Sequence, residues 1–171
     1  EGGGSTAKML LPRDLTYAEA LYDGEIHHLD HWVGELMGKI RALNLDQRAT
    51  VLLLSDHGQE FQEHGDLLHG QIYTTVTRVP MMIRLPGGHH AGTISDYAET
   101  VDVMPTVLDL SGIPVPDPVQ GESLLPLVLG EQSQRRHLAF TESTHFGGQL
   151  AVAMGGYRMI LNLDPERAEL Y

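Results

Sequence analysis

The sequence has few of the features that mark several large classes of proteins. None of its 171 residues is cysteine, which excludes disulfide bonds and thiolate metal sites. Only 11 residues are basic against 23 acidic ones, and the net charge of −12 argues against a surface for nucleic acid or for an anionic membrane. No apolar run approaches the ~18–20 residues of a membrane span. The length of the chain and its ordinary content of apolar residues predict one domain with a hydrophobic core.

Three further motifs are also absent. The chain starts with the glycine-rich residues 1–6 and not with the basic and apolar regions of a secretory signal peptide. Such a stretch is typical of a flexible linker, and we expect the sequence to start within a longer protein. The 171-residue sequence contains neither a GxxxxGK[ST] phosphate loop nor a GxSxG nucleophile elbow.

The first half of the sequence predicts a long helix and then a strand. Residues 1–15 are irregular in pattern, and Thr16 has capping-box spacing with Glu19 at the expected start of the helix. An apolar stripe of helical period then extends to about residue 43 and comprises Tyr22, Ile26, Leu29, Val33, Leu36, Met37 and Ile40. Residues 50–55, with Val and Leu in their interior, are typical of a strand buried on both faces in a parallel sheet.

The second half predicts short helices followed by a small antiparallel unit. Residues 81–85 form a second apolar run, and Asp102 is placed to cap a helix over 103–110. Ser123 is placed to cap another short helix, which Gly130 ends. Short apolar runs over 138–141, 150–154 and 157–162 predict strands, and two glycines between the last two runs predict a hairpin turn. The expected fold class is α/β with a small antiparallel sheet at its end.

The residues that carry chemistry follow the strand at 50–55. Asp56 and His57 come directly after it, and Gly58 would let both side chains face one point if it adopts a positive φ. A carboxylate and an imidazole together suit Zn²⁺, Mn²⁺ or Fe²⁺, and suit Ca²⁺ less well. An aspartate that caps a turn, with a histidine packed beside it, fits the same spacing. The spacing alone leaves both interpretations open.

Other polar residues follow in the next loop. His69 comes twelve residues after His57 and is a candidate ligand, base or donor to a bound anion. His64, which lies between acidic residues, is a weaker candidate. Gln59 and Glu60 are placed to support a metal-bound histidine.

Two other groups of histidines are present. Asp23, His27 and His31 form a column on the long helix, which we interpret as a solvated face and not as a metal site. His89 and His90 lie in a glycine-rich stretch that predicts an exposed turn.

Several motifs occur together and in a fixed order. They are Ser55-Asp56-His57-Gly58, Glu63-His64-Gly65, Leu68-His69-Gly70 with Tyr73, Arg78-Val79-Pro80, Thr100 to Leu110 with Gly112-Ile113-Pro114 after it, and Gly121 to Pro126. Two flanking segments belong with them: Tyr22 to Ile26 with Asp30 and Gly34, and the closing Asp164-Pro165-Glu166 and Glu169-Leu170-Tyr171. From about Tyr17 onward the chain therefore resembles the second half of the sulfatase family, in the alkaline phosphatase superfamily.

The resemblance implies a mixed-sheet α/β sandwich of the alkaline phosphatase/sulfatase type, of which this sequence covers a part. Residues 16–135 would form the C-terminal part of that α/β domain, and residues 136–171 the start of a small antiparallel subdomain. The family hydrolyses sulfate esters with a divalent metal ion, usually Ca²⁺, and a formylglycine made from Cys or Ser. The expected substrate is therefore a sulfate ester of a small molecule or a glycan.

The family's site residues carry over at three positions. Asp56 and His57 match its second pair of metal ligands, and the imidazole leaves Mn²⁺ or Zn²⁺ open. His69 matches a position at which many relatives have a lysine that contacts the sulfate and the leaving group. Histidine keeps a donor there but loses a permanent charge.

Two features of the sulfatase active site are absent from the sequence. Neither the nucleophile motif, Cys/Ser-x-Pro-Ser-Arg, nor the first metal-binding Asp pair occurs in it. We therefore expect a fragment that holds about half of the metal ligands, with the formylglycine in an upstream part, and that lacks turnover by itself. We also expect it to pair with that upstream half or with a second copy of itself, because strand edges and apolar helix faces would otherwise be exposed.

Two alternatives stay open. Phosphoethanolamine transferases and phosphonate or phosphodiester hydrolases of the same superfamily have similar motifs, although Arg78-Val79-Pro80 and the helix after Asp102 favour a sulfatase. The second alternative is a non-catalytic fragment used as an interaction module. Measuring bound divalent metal separates the two: a bound ion favours an enzyme, and its absence favours the module.

Overall fold

The computed structural model describes residues 10–131 and 138–171. Its first element is a 31-residue helix, α1 (Pro12–Ala42). The helix begins four residues before the predicted Thr16, because Pro12 fits the first turn, where its lack of an N–H is harmless. The predicted capping box is wrong: the Thr16 hydroxyl lies inside the helix and donates to the Pro12 carbonyl at 3.1 Å.

The apolar stripe of α1 is present but uncovered. No residue of the helix is buried, and Leu29 and Trp32 are 62% and 54% exposed. Tyr22 makes an edge-to-face contact with Phe61, at 5.5 Å between ring centroids. Within the described part of the chain, no helix is both long enough and apolar enough to cross a membrane.

The central strand is β1 (Val51–Leu54), which lies within the predicted range. It pairs antiparallel with a later strand, Met81–Arg84, so that Leu52 lies opposite Ile83. The predicted burial on both faces is wrong for this chain, since no residue of β1 is buried and Leu54 is 39% exposed. The physical reason is that, among the described residues, the sheet has only these two strands and one edge of β1 stays without a neighbour.

The polar stretch after β1 contains a small hairpin in place of the predicted loop. Its strands are β2 (Glu60–Phe61) and β3 (Leu67–Leu68), which pair antiparallel. A one-turn helix, α2 (Thr74–Thr77), follows, and then β4 (Met81–Arg84), the strand that pairs with β1. The hairpin therefore folds the chain back toward the end of β1.

A second helical unit follows. A short 3₁₀ helix (Thr100–Asp102) leads into α3 (Val103–Leu110), and α4 (Leu125–Val128) comes later. The predicted cap by Asp102 is wrong, because its fully buried carboxylate accepts bonds from the amides of Glu99 and Glu122, both at 2.9 Å, and none from α3. The Ser123 hydroxyl does accept the amide of Leu125, at the start of α4.

The last part of the chain is a four-stranded antiparallel sheet in sequential order. Its strands are β5 (Leu138–Ser143), β6 (Gln149–Met154), β7 (Tyr157–Leu163) and β8 (Glu166–Leu170). The predicted glycine turn between β6 and β7 is confirmed, with both glycines at positive φ. The fourth strand, β8, was not predicted.

This sheet packs on the segment that follows the β2–β3 hairpin. Ile72 forms a buried cluster with Ala151 of β6 and Ile160 of β7, and Tyr73 packs against it. The C-terminal sheet therefore supports the loop that carries the candidate site residues. The predicted domain boundary between residues 135 and 136 lies outside the described residues.

Candidate active site

The candidate site is the turn that directly follows β1. The Ser55 hydroxyl donates to the carbonyl of His57 at 2.8 Å, and the His57 amide donates to Asp56 Oδ1 at 2.9 Å. These two bonds turn the chain so that the side chains of Asp56 and His57 lie together at the surface, 86% and 42% exposed. Asp56 therefore caps the turn with one carboxylate oxygen and also lies beside His57, so the two interpretations of this spacing do not exclude each other.

The two side chains present one oxygen and one nitrogen to the same region. Asp56 Oδ2 lies 3.7 Å from His57 Nε2. The pKa of Asp56 is lowered, first by the bond from the His57 amide and then by the nearby imidazole. The carboxylate is therefore ionised at neutral pH, as a metal ligand requires.

The other ring nitrogen of His57 is used by the protein itself. His57 Nδ1 lies 2.9 Å from the carbonyl oxygen of Gly58. A carbonyl only accepts, so Nδ1 is the donor in this contact, and in the neutral ring the lone pair is then on Nε2, beside Asp56. A backbone carbonyl thus provides the support that the sequence assigned to Gln59 and Glu60.

Gly58 is required for a reason that differs from the prediction. Its φ is not positive. A Cβ atom at this position would lie 2.1 Å from the carbonyl oxygen of Thr75, and the Gly58 amide donates to the Val76 carbonyl at 2.6 Å. The predicted positive φ is wrong, and close approach of α2 is what excludes a side chain.

The hairpin brings His69 onto His57. The two rings are stacked, with centroids 4.0 Å apart and planes inclined by 23°. His69 is exposed and directly follows β3. The three predicted site residues therefore lie together, with His69 against the face of the imidazole whose edge points toward Asp56.

His64 lies away from this group. Its amide donates to Oε1 of the buried Glu60 at 2.7 Å, and its ring lies 3.7 Å from that of Tyr73 in a nearly parallel stack. Glu60 therefore supports His64 and not His57. The Tyr73 hydroxyl in turn donates to Glu169 on β8 at 3.1 Å. Sequence reasoning missed this last contact because the two residues are 96 positions apart.

No other part of the described chain offers a more complete metal site. Across residues 10–131 and 138–171, no group of three or more His, Asp or Glu side chains is arranged to hold an ion. This includes the column of Asp23, His27 and His31 on α1. Asp56 and His57 are therefore two candidate ligands, and a complete site would need further ones.

Comparison with known proteins agrees with the resemblance in the sequence. The family model described as Sulfatase matches residues 12–113. Arylsulfatase K of Bos taurus is 33% identical over 114 residues, which are 67% of this chain and 21% of that protein. The chain spans between 20% and 26% of the length of such curated relatives.

Solved structures share the fold. The phosphonate monoester hydrolase of Agrobacterium radiobacter matches 99% of this chain and 37% of its own chain, with a TM-score of 0.84 and 24% identity. BT4656, solved in complex with its substrate D-glucosamine-2-N,6-O-disulfate, matches 85% of this chain and 32% of its own, with a TM-score of 0.72 and 22% identity. The predicted α/β fold of the alkaline phosphatase/sulfatase type is confirmed.

Proposed function

Because this chain belongs to the sulfatase family, we propose that it contributes part of the active site of a sulfuric ester hydrolase. Asp56 and His57 are ligands of a divalent metal ion, and His69 faces the substrate. The observation that carries the proposal is the placement of these three side chains together at the end of β1. The curated relatives, which are arylsulfatases, favour sulfate esters over phosphonate esters or transfer of phosphoethanolamine.

The donor atoms fit a divalent metal. The contact between Nδ1 and the Gly58 carbonyl leaves His57 Nε2 able to donate its lone pair, 3.7 Å from an ionised oxygen of Asp56. One ion could lie within bonding distance of both atoms, because this separation is shorter than two metal–ligand bonds of ~2.0–2.2 Å each. Mn²⁺ and Zn²⁺ suit this mixed pair, and Ca²⁺, the usual ion of the family, needs several additional oxygen ligands. When bound, the metal supplies positive charge for a sulfate oxygen.

His69 is placed to help bind the negatively charged substrate. Its ring is exposed beside His57, and an imidazole N–H is a suitable donor to a sulfate oxygen or to the leaving oxygen. In a chain of net charge −12, such local donors and the metal are needed to attract an anion. The substrate class we propose is a sulfate ester of a small molecule or a glycan, which agrees with the sulfated sugar in the BT4656 complex.

The nucleophile and the other ligands come, in this proposal, from protein outside this chain. The sequence has neither a cysteine nor a Cys/Ser-x-Pro-Ser-Arg motif from which a formylglycine is made. Such a chain alone lacks turnover of an aryl sulfate. Hydrolysis of p-nitrophenyl sulfate by the purified chain, retained after removal of contaminants, would contradict this part of the proposal.

Calorimetric titration with MnCl₂, ZnCl₂ and CaCl₂ tests the metal site. We expect at least one ion to bind with a stoichiometry of one, and Asp56→Ala and His57→Ala each to weaken binding by at least about 10-fold, or ~1.4 kcal/mol. Asp117→Ala and His27→Ala are matched controls, because both residues are exposed and lie outside the site. If no ion binds, or if the site and control variants behave alike, the chain is better described as a non-catalytic module.

A further inference from the structure

A carboxylate on the last strand is the centre of a polar cluster that reaches the loop of the candidate site. Glu169 accepts hydrogen bonds from the hydroxyls of Tyr73 and Tyr171 and from the Asn162 amide, and it lies 3.5 Å from Arg167 Nε. We refer to Tyr73, Asn162, Arg167, Glu169 and Tyr171 as the Glu169 cluster. The Tyr171 hydroxyl lowers the pKa of Glu169 most, and burial raises the pKa of Tyr73. The carboxylate is thus charged and well bonded, and the Tyr73 hydroxyl keeps its proton.

The cluster is connected to the hairpin through stacked rings. Tyr73 stacks on His64 at 3.7 Å with an interplanar angle of 7°, and Tyr171 touches the edges of both rings at 5.6–6.0 Å. His64 in turn bonds Glu60, whose side chain is 2% exposed. An unbroken series of contacts therefore leads from β8 through Tyr73 and His64 to the first residue of β2.

A second contact fixes the same segment. Arg158 of β7 donates to the Ile72 carbonyl at 2.8 Å, and burial lowers the pKa of Arg158. Ile72 itself is 5% exposed in the apolar cluster with the C-terminal sheet. Residues 72 and 73 are therefore attached to the sheet by an apolar contact, by the half-buried guanidinium of Arg158 and by the Tyr73 hydroxyl.

His69 lies between two attached points and has little support of its own. The attached points are Glu60 with His64 on one side and Ile72 with Tyr73 on the other. The hairpin between them has only two residue pairs, and Leu68, beside His69, is 63% exposed with φ +75°. The position of the His69 ring over His57 therefore depends on how the two ends of the loop are held.

We propose that Glu169 is a positioning residue, which holds Tyr73 against His64 and so keeps the hairpin in the arrangement that stacks His69 on His57. Glu169 touches neither His57 nor His69 and acts through the loop. The consequence for metal binding rests on the function proposed above, whereas the position of His69 does not.

Proton NMR of the full chain tests the position directly. In the unmodified chain we expect a nuclear Overhauser effect between the His57 and His69 rings, and an upfield ring-current shift of the His64 protons from Tyr73. Glu169→Ala should abolish the first and reduce the second, while Glu169→Gln, which keeps an acceptor, should restore part of both. Tyr73→Phe keeps the ring and loses the hydroxyl that bonds Glu169 and Tyr171, so it carries the same test if Glu169→Ala fails to fold. Glu166→Gln, on the same strand and exposed, is the control.

Two results separate the possible outcomes. An intact His57–His69 effect in folded Tyr73→Phe and Glu169→Ala would overturn the proposal and leave the cluster a purely structural contact. With MnCl₂ as the probe, Tyr73→Phe should bind up to about 10-fold more weakly than the unmodified chain, because His57, a proposed ligand, loses the ring that packs on it. If the unmodified chain binds none of Mn²⁺, Zn²⁺ and Ca²⁺, the proposed function fails, and the NMR result still decides the role of Glu169.

Discussion

At the scale of single residues, Gly58 shows how closely the site is built against its neighbour. A methyl group added here would lie 2.1 Å from the Thr75 carbonyl oxygen, a backbone atom that can move only if α2 moves. We expect Gly58→Ala to destabilise the chain by about 1–3 kcal/mol, as overpacking does. Urea unfolding measures this change. Gly38→Ala on α1 is the control, because it has open space around it and should stabilise the chain by about 0.5–1 kcal/mol.

Glu169 gives a prediction about pH at the same scale. Its folded-state pKa is below the ordinary 4.5, so its contribution to stability is complete above that pH and is lost as the pH falls through the lowered value. The groups that face it are Tyr73, Tyr171, Asn162 and Arg167, of which only Arg167 is charged in this range. We expect the unmodified chain to lose more stability on acidification below pH 4.5 than Glu169→Gln does.

Urea unfolding at a series of pH values checks this prediction. Glu166→Gln should keep the full pH dependence of the unmodified chain, since Glu166 is exposed. Equal slopes for the unmodified chain and Glu169→Gln would mean that the carboxylate does not bind its partners more tightly when it is charged.

The sequence was sufficient to single out three side chains that the structure brings together, but not to explain what holds them. Asp56 and His57 were predictable because an apolar run ends at them, and His69 because its spacing matches a family motif. The need for glycine at position 58 was not predictable from the sequence. It arises because tertiary packing places α2 against Gly58. Glu169 was noted only within the closing Glu169-Leu170-Tyr171 motif, which gave no sign of its contact with Tyr73, because that contact arises only when β8 lies beside Tyr73.

At the scale of elements, a single buried carboxylate joins two helical segments. Asp102 is fully buried and accepts the amides of Glu99 and Glu122. Next to it, the Thr106 hydroxyl donates to the Asp102 carbonyl at 2.6 Å and accepts the Leu124 amide at 2.8 Å. These bonds attach the segment before α4 to the start of α3.

We expect Asp102→Asn to cost about 2–3 kcal/mol, because one oxygen becomes an amide NH₂ that faces a backbone donor. Chemical unfolding followed by circular dichroism measures the loss. Asp109→Asn on α3, the helix that directly follows Asp102, is the matched control: Asp109 is exposed and accepts a bond from the Ser123 hydroxyl, so its effect should stay below about 1 kcal/mol. Equal losses of stability in Asp102→Asn and Asp109→Asn would show that the burial of Asp102 does not determine its contribution to stability.

Element prediction succeeded where the signal is local and failed where it is not. The helix at 103–110 and the hairpin at Gly155 and Gly156 were correct, because a helix-ending glycine and a two-glycine turn act within a few residues. The β2–β3 hairpin was read as a loop, since two-residue strands leave no periodicity. Asp102 was assigned to the nearest helix end, whereas its partner Glu122 is 20 residues away.

At the scale of the whole molecule, the dominant feature is apolar surface that the described chain does not cover. On α1, Leu29, Trp32 and Leu36 are each more than half exposed and lie within two helical turns of one another. β1 also has a free edge within the described sheets. A patch of this kind is typical of a surface that contacts other protein.

In a purified sample the available apolar partner is another copy, and we therefore expect the chain to self-associate through α1. The net charge of −12 opposes this association, so it should strengthen when salt shortens the screening length from ~10 Å at 0.1 M to ~3 Å at 1 M. Sedimentation velocity over that range measures it. Leu29→Glu with Leu36→Glu should restore monomers, whereas His27→Glu with His31→Glu adds the same charge at exposed polar positions of the same helix and should leave the association nearly unchanged. A monomer at every salt concentration would show that the exposed stripe is too weak to hold two copies together.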